Sequence, residues 1–247
     1  MSTSTAIATF KELCADAYGG ADDVTAFGRF WAAATGLEFK QFSDDPADPG
    51  DVIGPEEGQG IAVCPVPDRR TVKNRVHLDV SVTELSELLD LGATVIRPQD
   101  EEIHWTVMAD PEGGEFCAFV QPPERLAPYR VFEFNVDCAD AESTARWWAD
   151  VFGVEAQPKD GYWWFQGAPG FPTSAVSPFF AMVFGNVPEP KTVKNRWHWD
   201  VYGDVADFLA RGATLLWETP GWTTLADPEG NEFCVFAPPS VEPAETQ

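Results

Sequence analysis

Two phrases of the sequence carry an imidazole and a carboxylate two residues apart. TVKNRVHLDV begins at residue 71 and TVKNRWHWDV begins at residue 192, and each contains one of the chain's three histidines, His77 or His198. An imidazole can act as a metal ligand or as a general acid. Alternatively, since alternate residues of a strand share a face, each histidine pairs only with its own aspartate, Asp79 or Asp200, and has no chemical role.

Basic residues stand directly before each histidine. They are four of only 16 lysines and arginines in a chain with 40 acidic residues. The four are Lys73, Arg75, Lys194 and Arg196. These side chains could attract an anionic substrate. We expect instead that they anchor an acidic hairpin later in each copy, through Glu112, Glu115, Glu229 or Glu232.

The elements that must position these residues occur twice in the same order. The two phrases lie 192 − 71 = 121 positions apart, and helix, strand and DPEG segments recur around them. Asp140 and Gly153 are typical of the start and end of a helix, and Gly36 ends the equivalent helix over roughly 23–35. The DPEG segments match type I turns that join the last two strands of each copy. Each copy is therefore predicted to contain two βαβββ units, which makes the protein an α+β fold.

Composition excludes several classes of function. The formal net charge of −24 repels nucleic acid and anionic lipid surfaces. The sequence shows neither an apolar run long enough for a membrane span nor a signal peptide, so we expect a cytoplasmic protein. The five cysteines are odd in number and lack CxxC spacing, which favours reduced thiols over a disulfide framework or a zinc knuckle.

Together these motifs resemble the glyoxalase-like branch of the vicinal oxygen chelate superfamily, which includes glyoxalase I, extradiol dioxygenases and bleomycin resistance proteins. The resemblance rests on an R-F/W-W helix, the KNR-x-H-x-D strand and the DPEG-x-EFC hairpin, which are present in both copies. It covers about residues 8 to 120 and 130 to 238. It implies that paired βαβββ units curve into open cups, often around a divalent metal. One duplicated chain would then form what many relatives form as a dimer.

The repeat and a proline-rich segment define the expected domains. Three prolines occur within QPPERLAPYR, which lies between the two copies. We predict a first glyoxalase-like domain, a linker, a second glyoxalase-like domain and a flexible tail, at residues 1–122, 123–129, 130–240 and 241–247.

The resemblance also implies a set of metal ligands for each cup. In the first copy the family's ligand positions fall on Glu12, His77 and Cys117. In the second copy they fall on Glu133, His198 and Cys234. Each set is expected to converge within its own copy. Because a cysteine replaces the family's last glutamate, we predict no cofactor, with one zinc or iron ion per cup as the alternative.

Tryptophans are candidates for ligand binding. Four of them occur in strands near the expected cups: Trp105, Trp163, Trp164 and Trp222. An indole that faces into a cup could stack on a planar ligand. The adjacent pair in the second copy has no counterpart of that size in the first, so we expect any ligand to prefer the second cup.

Several functions are compatible with a small-molecule ligand. The first is a lyase, isomerase or dioxygenase that acts on a small oxygenated or aromatic metabolite, with Glu12, His77, Glu133 and His198 as catalytic residues. The alternative is a metal-free protein that sequesters its ligand, as bleomycin resistance proteins do. A duplicated scaffold without a ligand is a third possibility. The expected assembly is either a monomer that forms a pseudo-dimer within one chain or a homodimer.

Overall fold

The computed structural model describes residues 5–42, 45, 49–173 and 180–239. The predicted flexible tail at 241–247 lies outside these residues. Within the described part of the chain, no helix is both long enough and apolar enough to cross a membrane.

Both copies follow the predicted order of strands and helices. The first copy contains β1 (Ala8–Tyr18), α1 (Ala21–Thr35), β2 (Glu38–Lys40), β3 (Asp51–Ile53), β4 (Ile61–Val66), β5 (Val76–Val82), α2 (Ser86–Asp90), β6 (Thr94–Arg97), β7 (Thr106–Ala109) and β8 (Glu115–Val120). The second copy contains β9 (Val131–Cys138), α3 (Ala141–Phe152), β10 (Gln157–Lys159), β11 (Tyr162–Gln166), β12 (Ala181–Asn186), β13 (Trp197–Gly203), α4 (Val205–Ala210), β14 (Thr214–Glu218), β15 (Thr223–Ala226) and β16 (Glu232–Phe236). A 3₁₀ turn, Pro123–Arg125, lies between them.

The strands form two eight-stranded mixed sheets, and each sheet takes one unit from each copy. The first sheet has the order β14-β15-β16-β13-β1-β4-β3-β2, and the second has the order β10-β11-β12-β9-β5-β8-β7-β6. At their centres β1 pairs antiparallel with β13, and β9 pairs antiparallel with β5. The four predicted units and the α+β class are confirmed. The two units of one copy, however, lie in different sheets.

The helix ends agree with the local sequence signals. Asp140 precedes α3, and its side chain accepts a hydrogen bond from the Ser143 N–H at 3.0 Å. Gly153 ends α3 with φ 65°, and Gly36 ends α1 with φ 76°. Both glycines adopt the left-handed conformation that closes helices.

A shared aromatic core joins the two sheets through the helices. Trp197 of β13 packs on Trp31 of α1, with ring centroids 4.8 Å apart. Trp199 of β13 packs on Trp148 of α3 at 4.9 Å. Trp199 also contacts Phe134 of the second sheet at 5.7 Å. Trp197 and Trp199 therefore pack under the helices, and the opposite sheet faces are left for the cups.

Candidate functional site

Strand pairing brings the predicted site residues together across the copies. In the first sheet Glu12 lies opposite Asp200, and Cys234 lies beside Asp200 on the other side. In the second sheet Glu133 lies opposite Asp79, and Cys117 lies beside Asp79.

The expected grouping of ligands within each copy is therefore partly wrong. His77 and Cys117 share a sheet, as predicted, but their glutamate is Glu133 and not Glu12. The reason is that β1 pairs with β13 of the other copy, which moves Glu12 to the sheet of His198.

Each sheet carries one cluster of an imidazole, a carboxylate and a thiol, which we call the His–Asp–Cys cluster. In the first sheet His198 Nε2 lies 3.5 Å from Cys234 Sγ and 3.8 Å from Asp200 Oδ1. In the second sheet the cluster is formed by His77, Asp79 and Cys117, and the His77 Nε2 to Asp79 Oδ1 distance is 3.9 Å. The potential ligand atoms within each cluster all lie within 4.8 Å of one another.

Burial sets the protonation states of the cluster when no cation is bound. It lowers the pKa of His77 to about 4 and the pKa of His198 to about 3, so both imidazoles are neutral at pH 7. Burial also raises the pKa of Asp200 to about 7 and the pKa of Cys234 to about 12. In the second sheet, burial and the neighbouring charge of Glu133 raise the pKa of Asp79 well above its usual range.

The clusters contain donor groups that fit a thiophilic divalent ion. Asp79 Oδ1, Asp200 Oδ1 and His198 Nδ1 are buried, and none of them has a hydrogen-bond partner among the residues that the structure describes. A tetrahedral zinc ion holds nitrogen, oxygen and sulfur donors at roughly 2.0 to 2.3 Å, which separates them by roughly 3.3 to 3.8 Å. The distances from His198 to Cys234 and Asp200 lie in that range. Sulfur favours zinc or iron over magnesium or manganese at this position.

Asp79 and Asp200 supply the carboxylates of the two clusters, whereas the sequence predicted Glu12 and Glu133. The sequence predicts for these two aspartates only a pairing with the neighbouring histidines. The signal was present in the sequence, since a His-x-Asp strand places both side chains on one face. It pointed to an ion pair and to a pair of ligands equally well.

The two cups differ in exposure. The His77 side chain is 17% exposed, whereas the His198 side chain is 6% exposed. In the first sheet Lys11 forms an ion pair with Glu12 and also lies 4.6 Å from the centre of the Phe236 ring. The cup of the second sheet, which contains His77, is thus the more accessible of the two.

The cup of the first sheet also holds a pair of neighbouring thiols, which the sequence patterns did not predict. Cys14 Sγ lies 3.2 Å from Cys64 Sγ, on adjacent parallel strands. The equivalent positions in the second sheet are Asn135 and Gly185. The composition of the two cups has therefore diverged.

An aromatic wall flanks the cluster of the second sheet. Trp105 stacks on Phe119 with ring centroids 5.6 Å apart, and Phe119 contacts Phe132 edge to face at 5.0 Å. Phe119 shares a strand face with Cys117, which places the wall on the cup side. The first sheet has the equivalent stack of Trp222 on Phe236 at 5.8 Å, with Lys11 in place of Phe132.

Of the adjacent tryptophans, only Trp164 lies on the cup face. Trp164 pairs across the strands with Val183, and Val183 pairs with Asn135. Asn135 in turn pairs with His77, so the four residues lie on the same face of the sheet. Trp163 lies on the opposite face, where the Arg146 guanidinium of α3 sits 4.7 Å from its ring centre. The assignment of Trp163 to ligand binding is therefore wrong. The aromatic enrichment of the second copy lies beside His77, not His198, because the units are exchanged.

Two segments of the chain match a known domain family. The model of the glyoxalase-like domain matches the chain twice, at residues 12–119 and 133–236. The chain belongs to the glyoxalase-like domain family. The predicted place in the vicinal oxygen chelate superfamily as two tandem domains is confirmed.

Solved structures share this glyoxalase-like fold over nearly the whole chain. Glyoxalase I from Zea mays is 11% identical, with a TM-score of 0.62, and the match covers 93% of this chain and 92% of that one. A putative dioxygenase from Bacillus subtilis subsp. subtilis str. 168 is 12% identical, with a TM-score of 0.63, covering 96% of this chain and 87% of that one. A search of curated protein sequences found no significant match. At these identities the likeness shows the fold alone.

Proposed function

We propose that this glyoxalase-like protein is an enzyme that acts on a small oxygenated molecule bound in the cup of the second sheet. The observation that carries the proposal is the His–Asp–Cys cluster, whose buried carboxylate oxygen has no hydrogen-bond partner in the described part of the chain. In place of the expected absence of a cofactor we favour the alternative, in which His77, Asp79 and Cys117 would hold a zinc or iron ion there. When bound, such an ion polarises an oxygen of the substrate.

Glu133 is the residue positioned to move a proton. It lies opposite Asp79 on the neighbouring strand, and it is only partly buried. Burial raises its pKa, which brings the carboxylate nearer to the strength of a useful general base at neutral pH. A general base suits the removal of a proton from a carbon next to a carbonyl, which is a step of many lyase and isomerase reactions. We therefore favour those two classes.

The aromatic wall supports a second candidate, a binding protein that sequesters an aromatic compound. Trp105, Phe119 and Phe132 offer stacked and edge-on rings beside the cluster. A planar ligand could bind against them without any chemical step.

Metal content tests the first part of the proposal. Protein is purified without an affinity-tag metal, stripped with a chelator and titrated with Zn²⁺ in parallel with Cys117→Ser, Cys234→Ser and the double variant. We expect two ions per chain for the parent, one for each single variant and none for the double variant. Cys138→Ser is the matched control, because Cys138 is buried outside both clusters and donates to the Val136 carbonyl at 3.2 Å. A parent that binds no zinc would refute the metal site.

Proton exchange tests the second part. Small α-hydroxyketones are incubated in D₂O with the zinc-loaded parent or Glu133→Gln, and exchange at the carbon next to the carbonyl is followed by NMR. We expect exchange with the parent and a loss of about 10²-fold or more with the variant. Binding of aromatic members of the panel without exchange would favour the sequestering function.

A further inference from the structure

A groove lies between the two KNR loops, residues 71–75 and 192–196, and none of the six residues of the His–Asp–Cys clusters lines it. It has a volume of about 750 Å³ and is lined by the connection from β4 to β5 and by the connection from β12 to β13. The two connections are equivalent segments of the two copies. The groove therefore lies between equivalent loops and occurs once per chain, whereas the cups occur twice.

The groove is basic in a strongly acidic protein. Its lining contains six of the chain's 16 basic residues and four acidic residues, so its formal charge is 6 − 4 = +2. The six are Arg69, Arg70, Lys73, Arg75, Lys194 and Arg196. In a chain of net charge −24, this groove is a local region of positive potential that favours anions.

The lysines of the KNR loops are already paired. Lys73 Nζ donates to Asp137 at 2.8 Å, and Lys194 forms the equivalent ion pair with Asp16. The expectation that the basic side chains anchor the hairpins is wrong for these lysines. The anchors are instead the backbone, since the Asn74 N–H donates to Glu115 at 3.0 Å, and other basic side chains, since Arg70 pairs with Glu115 and Lys191 with Glu232.

The two arginines of the KNR loops, Arg75 and Arg196, donate to uncharged carbonyl oxygens. Arg75 donates from Nη1 to the Glu189 carbonyl at 2.7 Å, and Arg196 donates from Nη2 to the Asp68 carbonyl. Both acceptors are uncharged. Among the residues that the structure describes, neither arginine forms a salt bridge, and Arg75 Nε is buried without a partner. Each guanidinium has five N–H donors, so most of its donors remain for an anion.

The apolar part of the groove has the same twofold character. Val72 and Val193 occupy equivalent positions in the two loops and are 41% and 42% exposed. They lie in the lining with Arg75 and Arg196. A ligand that matches this surface has an apolar middle and an anionic group at each end.

We propose that this groove binds a small dicarboxylate, with one carboxylate on Arg75 and the other on Arg196. Arginine binds carboxylates through two parallel N–H···O bonds, which suits it to this role. The proposal does not rest on the function proposed for the cups.

Calorimetric titration of the chelator-treated full chain with succinate, adipate and terephthalate tests it, with benzoate and inorganic phosphate as comparison anions. We expect at least one dicarboxylate to bind at one molecule per chain, with an affinity that falls as salt is added. Benzoate and phosphate should bind more weakly. Arg75→Met combined with Arg196→Met should weaken binding about tenfold or more.

Two controls separate the groove from other causes. Arg146→Met removes an arginine on α3 and should leave binding unchanged. Arg75→Lys with Arg196→Lys keeps the charge but removes the paired donors, so it should also weaken binding. This variant gives the test if the double methionine variant proves unstable. No binding of any dicarboxylate, or unchanged binding in both double variants, would overturn the proposal. Two bound molecules per chain would assign the anions to the cups and overturn it as well.

Discussion

Glu12 lies directly opposite Asp200 in the pairing of β1 with β13, although the two residues belong to different copies of the repeat. Glu133 lies opposite Asp79 in the same way. Each His–Asp–Cys cluster comes from one copy, but the glutamate that lies opposite its aspartate comes from the other copy. The duplication therefore does more than place two independent cups side by side.

Each sheet takes one unit from each copy, an arrangement that we call the exchange of units. It predicts how the two halves of the chain behave when they are expressed separately. Residues 1–122 and 123–247, expressed alone, should each lack half of both sheets and expose the edges of β1 and β5, or of β9 and β13. We expect each half to be insoluble or to form a homodimer, and the two halves to purify together when they are co-expressed. Size-exclusion chromatography with light scattering gives the answer. A folded monomer of either half alone would contradict the exchange.

Breaking an ion pair between the copies should destabilise the chain unequally in the two places. Asp16 is 5% exposed and pairs with Lys194, whereas Asp137 is 12% exposed and pairs with the far more exposed Lys73. Lys194→Met leaves a buried carboxylate without its partner, and we expect a loss of about 1 to 3 kcal/mol in the free energy of unfolding. Lys73→Met should cost less than about 1 kcal/mol. Urea denaturation of both variants measures the difference, and equal losses would count against this reading of burial.

Local signals explain why the units could be predicted from the sequence. The ends of α1 and α3 follow from Gly36, Gly153 and Asp140, which act through the backbone of a few neighbouring residues. The inward packing of Trp197 and Trp199 follows from strand alternation.

The exchange could not be predicted because its determinants are duplicated. β5 and β13 carry nearly the same sequence, VHLDV and WHWDV, so nothing local tells β1 which of them to join. The misplacement of Glu12 follows from that ambiguity, and so does the cup assigned to Trp164. The pairing of Lys73 with Asp137 also depends on which copy supplies the neighbouring strand.

The acidic hairpin of the first copy should make stability depend on pH. Burial raises the pKa of Glu112 to about 7, above its ordinary value of 4.5. The folded protein therefore holds a proton that the unfolded chain releases. The resulting stabilisation is complete below about pH 4.5 and is lost as the pH rises through 7. Glu112→Gln removes this titration, so the free energy of unfolding should fall less between pH 5 and pH 8 than it does in the parent. Parallel pH profiles for the two proteins would show that Glu112 is not the cause.

The cup face of β11 predicts which tryptophan contacts a ligand. The probe is 4-nitrocatechol, an oxygenated aromatic compound, and it is titrated into the zinc-loaded protein. Trp164→Ala should weaken binding about two- to tenfold, the effect of one lost stacking contact. Trp163→Ala is the matched control and should change little, since Trp163 packs against Arg146 on the other face. A larger loss for Trp163→Ala would reverse the assignment of faces.

The central claim is that the two His–Asp–Cys clusters are metal sites, each facing a glutamate from the other copy. Crystals grown from zinc-loaded protein, with diffraction data collected on both sides of the zinc absorption edge, test this directly. We predict one anomalous peak in each sheet, at roughly 2.0 to 2.3 Å from the imidazole nitrogen, the aspartate oxygen and the thiolate sulfur of each cluster. One peak lies beside Glu133 and His77, and the other beside Glu12 and His198. Clusters without anomalous density in zinc-loaded crystals, or peaks held by other side chains, would contradict the account.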